Sequence, residues 1–271
     1  MQSQASPGGR GGGHFDLQGH RGAWGLVPCN TVDAFAAALE VGVSTLELDV
    51  GVSRDGQVVV SHDRHVSARL YRDTAPVHPE DRLFPYVGQN ITNLTLAQLR
   101  SLAAIPQSRR FGKFLSVSPA RTRYGQAGFL PFLRCSTFAV DPRSMPGLRL
   151  GALVTESGFL TGVADHWTGG IDVRARPFRG DHAAAAASLG ATALCVNWQA
   201  CTEAAIRSAH QAELLLLAWT VNSKATMRRL IDRGVDGIVT DFPDRLREVM
   251  TEKGMPLPCP APVKPCKAPA A

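Results

Sequence analysis

Several things are scarce or missing in this chain, and each absence narrows the field. There are six cysteines, but no two have the C-x2-C spacing of a zinc site, so structural zinc of that kind is not expected. No apolar run reaches the ~18 residues that a membrane span needs. The opening MQSQASPGGRGGGHFDLQ holds no apolar segment of secretory type. As written, the protein is expected to stay in the cytoplasm, and to be secreted only if the start site is misassigned. Aromatic residues make up 7%, and the basic residues form no long run, which argues against a nucleic-acid partner. From Arg82 to Val140 there is no Asp or Glu at all.

What is present describes an ordinary globular protein. Of 271 residues, 44% are hydrophobic and 19% charged, and the net charge of +6 suits an anionic substrate without proving one. Residues 1–13 are rich in Gly, Ser and Gln and read as a disordered tail. Residues 255–271, MPLPCPAPVKPCKAPAA, read as a second, Pro-rich tail. The core of 14–254 is close to the ~250 residues of one (β/α)8 barrel.

Periodicity supplies the coarse elements. HFDLQGHR is a first strand ending in a polar turn. TVDAFAAALEVG is a helix that Asn30 or Thr31 can cap and Gly42 can close. TLELDVGVS alternates as a barrel strand should, and QVVVSHD is a short extended run after the Asp55-Gly56 turn. LTLAQLRSL is a short helix. STFAVDP, LRLGALV, ATALCVNW, LLLLAWTVN and DGIVTDFP are further strands. The helices TEAAIRSAHQAE and KATMRRLIDRG lie between some of them. Strand and helix in alternation predict a parallel sheet with crossover helices, in which chemistry sits at the C-terminal strand ends. Polar residues recur there: His20 and Arg21, Glu47 and Asp49, Asn197, Asn222, Asp241.

Glu47 and Asp49 are two apart, so on one strand both face the same way. Two carboxylates on one face repel unless a cation lies between them, and hard oxygen ligands favour Mg2+ or Ca2+. A salt-bridged strand edge is the plainer alternative. His20 can move protons near neutral pH, and Arg21 can clamp a phosphate bidentately. His62 ends another apolar run. Two histidines beside a cation and an arginine suit phosphoryl transfer, one as base and one as acid.

HRG at His20–Gly22, P-x-NT at Pro28–Thr31, ELDV at Glu47–Val50, a DG turn and VV-x-HD at Val59–Asp63 together resemble the glycerophosphodiester phosphodiesterases. LFPYVGQNITNLTLAQLRSL fits as well, and AWTVNSKATMRRLIDRGVDGIVTDFPDRL is similar to that family's closing segment. The resemblance covers about residues 15–105 and 135–249. It implies an α/β TIM (β/α)8 barrel, a divalent cation (Mg2+ or Ca2+), and hydrolysis of a small-molecule glycerophosphodiester to glycerol 3-phosphate and an alcohol. It further implies His20 and His62 as the acid/base pair, Arg21 on phosphate, Glu47 and Asp49 on metal, and Trp219 at the pocket mouth.

Two departures qualify that expectation. Cys29 stands where the family pattern has a carboxylate. The family's Glu-x-Lys strand, a further metal ligand and phosphate contact, has no counterpart in FGKFLSVSPARTRYGQAGFLPFLRCSTF. The only extended candidate there is KFLSV, Lys113–Val117. The barrel is therefore expected to be incomplete or distorted at its third strand, and the metal site weakened. Two other readings stay open: a non-catalytic barrel that binds phosphodiesters or a partner, and a phosphodiesterase of the phospholipase-D-like kind.

Overall fold

The first helix begins at a hydroxyl and ends at a glycine. Thr31 Oγ1 accepts the Ala34 N–H over 3.0 Å, so Thr31 is the N-cap rather than Asn30. Gly42, at φ +91°, closes the helix in the left-handed conformation that glycine adopts cheaply. The computed structural model describes residues 15–105, 151–154, 181–188 and 191–261. In chain order these form β1 (Asp16–His20), α1 (Val32–Val41), β2 (Thr45–Glu47), β3 (Val50–Val52), β4 (Val58–Val60), β5 (Tyr71–Arg72), α2 (Leu96–Arg100) and β6 (Ala103–Ala104). There follow β7 (Gly151–Val154), α3 (His182–Ser188), β8 (Ala193–Asn197), α4 (Glu203–Gln211), β9 (Leu215–Trp219), α5 (Lys224–Arg233), β10 (Gly237–Thr240) and α6 (Pro243–Glu252). No helix among the described residues is long and apolar enough to cross a membrane.

The chain divides into two units. One comprises Met1–Gln18, Val43–Thr45 and Ser136–Cys259; the other comprises Gly19–Gly42, Leu46–Cys135 and Pro260–Ala271. In the first, β7, β8, β9 and β10 run parallel in sequence, with Asn197 beside Trp219 at the C-terminal ends of β8 and β9. The full strand order is β2-β1-β10-β9-β8-β7. The Asp16 N–H donates to Asp236 O over 2.9 Å, and a Cβ on Gly237 would lie 2.6 Å from Asp16 O. Glycine is thus what lets β1 approach β10 so closely. Leu17, Leu216, Ile238, Leu230, Leu246 and Met250 are fully buried. Each contributes roughly 1.5–3 kcal/mol by leaving water. The sheet and its helices bear out the α/β expectation. Lys113–Val117 and STFAVDP, on which the expectation of a defective third strand rests, lie outside the described residues.

The second unit corrects one reading. TLELDVGVS is two strands, not one: β2 stops at Glu47, and β3 pairs antiparallel with β4, Val50 opposite Val60 and Val52 opposite Val58. The cause is local. Ser53 and Gln57 bond across a tight turn in which Gly56 takes φ +75°, so Val50–Val52 finds its partner eight residues on instead of continuing β2. Beyond the hairpin, Val59, Val66, Tyr86, Ile91, Leu94, Leu99 and Leu102 form a core. β5 and β6 flank it as an antiparallel pair, and a Thr95–Gln98 capping box starts α2. The expected tail also begins as bonded chain: Pro258 O accepts from Arg247 Nη1 in the first unit, and the Ala261 N–H donates to Leu39 O in the second.

Candidate active site

β1 ends at His20 in a turn that the sequence could only make with a glycine. Arg21 takes φ +49° and Gly22 φ +90°, and a Cβ on Gly22 would lie 2.5 Å from the Ala34 carbonyl carbon. The turn therefore seats against α1. Asn30, also left-handed at φ +56°, returns its N–H to Arg21 O over 3.1 Å.

Four predicted residues meet around this turn. The Arg21 N–H donates to Glu47 Oε2 over 3.2 Å, and His20 Nε2 lies 3.9 Å from the same oxygen. Arg21 Nε stands 3.6 Å from Asp49 Oδ2, near enough to pair in charge and too far to hydrogen-bond. Glu47 ends β2 and Asp49 lies in the break before β3, so the two do not sit on one strand, though each lies close to Arg21. Burial raises the Glu47 carboxyl above its ordinary value, and the Asp49 charge adds to this. His20, the Arg21 N–H and the Arg21 charge oppose it.

His62 follows Ser61, whose N–H donates to Asp49 O over 3.0 Å, so the second histidine is one residue from a chain bonded to the carboxylate segment. Its Nδ1 lies 2.8 Å from Asp63 Oδ1. Trp219, in the other unit, ends β9; its indole nitrogen is shut from solvent and has no hydrogen-bond partner among the described residues. Beyond it, Asn222 donates to Asp241 Oδ2 and accepts from the Thr240 hydroxyl and the Asp241 N–H, tying the ends of β9 and β10 together.

Sequence reasoning missed Trp24. The Arg21 guanidinium carbon sits 4.7 Å from its ring centroid, and the His20 ring 5.7 Å away in a tilted arrangement. The one signal was a large aromatic set between small residues, Gly22-Ala23 before it and Gly25 after it. Cys29, the departure from the family pattern, is buried. Tyr71 is pushed up to about 12, by burial first and then by Cys29 and Asp63.

The implied cation can be tested against these donors. Asp49 Oδ2 is buried without a hydrogen-bond partner among the described residues, and partial burial raises the Glu47 carboxyl, whose side chain keeps 29% exposure. Buried anionic oxygens of this sort suit a hard divalent cation. No group of three or more His, Cys, Asp and Glu suited to a metal occurs among the described residues. Among the described residues, Glu47 and Asp49 are the donors that would hold such an ion.

The described residues thus present a parallel α/β sheet whose first strand ends in a His-Arg turn beside two carboxylates. The chain belongs to the glycerophosphoryl diester phosphodiesterase family, whose model matches residues 20–127 and 161–245. It is 28% identical over 258 residues to a glycerophosphodiester phosphodiesterase of Caldanaerobacter subterraneus, covering 87% of this chain and 97% of that one. Its fold is like that of a glycerophosphodiester phosphodiesterase of Agrobacterium tumefaciens (TM-score 0.53, 19% identity, 86% and 98% coverage). It is also like an Oleispira antarctica phosphodiesterase in complex with the product sn-glycerol-3-phosphate (TM-score 0.55, 17% identity, 87% and 96% coverage). The fold class is accordingly the TIM barrel of that family.

Proposed function

We propose that the protein hydrolyses small-molecule glycerophosphodiesters to glycerol 3-phosphate and an alcohol, with Mg2+ or Ca2+ held by Glu47 and Asp49. The observation that carries this reading is the meeting of His20, Arg21, Glu47 and Asp49 within one turn. When bound, the cation neutralises charge on the phosphate. The rest is the work of side chains. Arg21 offers a guanidinium fork to phosphate oxygens, its backbone N–H already committed to Glu47. Asp63 pairs with His62 Nδ1 and orients that imidazole for proton transfer. His20, beside Glu47, serves as the opposite partner: one imidazole takes a proton from the attacking oxygen while the other gives one to the leaving alkoxide.

The test is turnover of glycerophosphocholine by the full chain with Mg2+ or Ca2+, with glycerol 3-phosphate followed by phosphorus NMR. His20→Ala and His62→Ala are each expected to lower the rate ~10²–10⁴-fold. Wild-type turnover in either variant removes that residue from the mechanism. Binding of glycerol 3-phosphate without turnover would leave a non-catalytic phosphodiester-binding barrel instead.

A further inference from the structure

The Arg21 guanidinium has two places to go. Toward Asp49 it stops short: Nε and Oδ2 are 3.6 Å apart, both shut from solvent, and neither makes a hydrogen bond among the described residues. A guanidinium and a carboxylate with facing atoms this close and shielded would ordinarily close to a bonded pair. On its other side the guanidinium carbon lies over the Trp24 ring, 4.7 Å from the centroid, within the range where the ring's negative face attracts a cation. The same indole lies 5.7 Å from the His20 ring. Backbone geometry fixes where the side chain starts, because Arg21 is left-handed and its N–H is bonded to Glu47.

We propose that Trp24 is a positioning residue whose indole face holds the Arg21 guanidinium short of a hydrogen bond to Asp49, keeping the carboxylate oxygens for a divalent cation and the guanidinium for a phosphate. Without the ring, Arg21 closes on Asp49. One positive charge then occupies the place of the cation, and the phosphate loses its clamp. The inference rests on the proposed function for the role of the site, but its test reads binding, not turnover.

The experiment is calorimetric titration of the full chain with Mg2+, Ca2+ and glycerol 3-phosphate. Trp24→Leu keeps apolar bulk without the π face and is expected to weaken cation and glycerol 3-phosphate binding about three- to tenfold. Trp24→Phe is expected to recover most of the loss. In an Arg21→Met background, Trp24→Leu is expected to leave cation affinity unchanged, because no guanidinium remains to collapse. If Trp24→Leu does not fold, Trp24→Met takes its place in the cycle. Wild-type binding in the Leu variant overturns the proposal. So does a loss of the same size in the Arg21→Met background, since packing alone would then explain it. Wild-type protein that binds neither cation nor glycerol 3-phosphate overturns it as well. If the coupling holds but no glycerophosphodiester is turned over, the proposed reaction falls and the role of Trp24 stands.

Discussion

The Arg21 backbone N–H donates to Glu47 Oε2 over 3.2 Å, joining the end of β1 to the end of β2 through a main-chain group. That bond exists only while Arg21 holds φ +49°, and Gly22 at φ +90° makes the turn possible.

Gly22→Ala is therefore expected to cost more than about 1 kcal/mol, since it adds a strained φ to a Cβ placed 2.5 Å from backbone in α1. Urea unfolding measures it. The same variant is expected to weaken cation binding, because α1 or the turn must shift. An unchanged midpoint would mean that the turn is less tightly seated on α1 than its geometry shows.

Cation affinity itself is expected to be modest. Glu47 and Asp49 are two donors where strong sites of this kind use more, and Mg2+ retains several waters readily. Titration with Mg2+ and Ca2+ is expected to give dissociation constants weaker than about 10⁻⁴ M, lost in Glu47→Gln and Asp49→Asn. Micromolar binding that depends on these two would reveal a third anionic ligand. Asp141 and Glu156, both outside the described residues, would be the residues to replace next.

Much of the sheet was legible in the sequence because its signals are local. Apolar runs named β8, β9 and β10, Gly42 and a cap at Asn30 or Thr31 bounded α1, and strand-end polarity picked out His20, Arg21, Glu47 and Asp49. What was not legible depended on partners distant in sequence or on side-chain packing. Alternation in TLELDVGVS is the same whether Val50–Val52 continues β2 or folds back on Val58–Val60; only the pairing decides. Trp24 carries no motif, and its meaning lies in the guanidinium above it.

The second unit should show its own acid sensitivity. Asp81 accepts from the Tyr86 hydroxyl, Gln98 Nε2 and the Leu83 N–H, and these bonds, Tyr86 first, hold its carboxyl below the ordinary value of 3.8. A carboxyl with a lowered folded pKa binds fewer protons folded than unfolded, so stability rises with pH across that window. The contribution is complete above the unfolded value and is lost as pH falls through the lower, folded one. Asp81→Asn is expected to be less stable near neutrality and to lose less on acidification below about pH 4. Parallel urea curves for the two proteins at every pH would show that Asp81 contributes nothing to the slope.

Cys29→Glu tests the departure from the family pattern directly. Residue 29 precedes Asn30, whose N–H is bonded to Arg21 O, so it belongs to the same turn as the site. The position is buried, and Tyr71 near it has its hydroxyl pushed up to about 12, by burial first and then by Cys29 and Asp63. A carboxylate placed there enters a dry region with an acidic neighbour and, without a cation, should destabilise the fold. With a cation bound, the same charge becomes a third hard ligand, and affinity is expected to rise about tenfold. The two effects have opposite signs, so they separate cleanly. In chelator the variant should unfold at lower urea than wild type, and addition of Mg2+ or Ca2+ should shift its midpoint further than it shifts the wild type's. Equal cation-induced shifts in the two proteins would show that a carboxylate at residue 29 does not reach the metal, and the thiol there would then count as a packing residue alone.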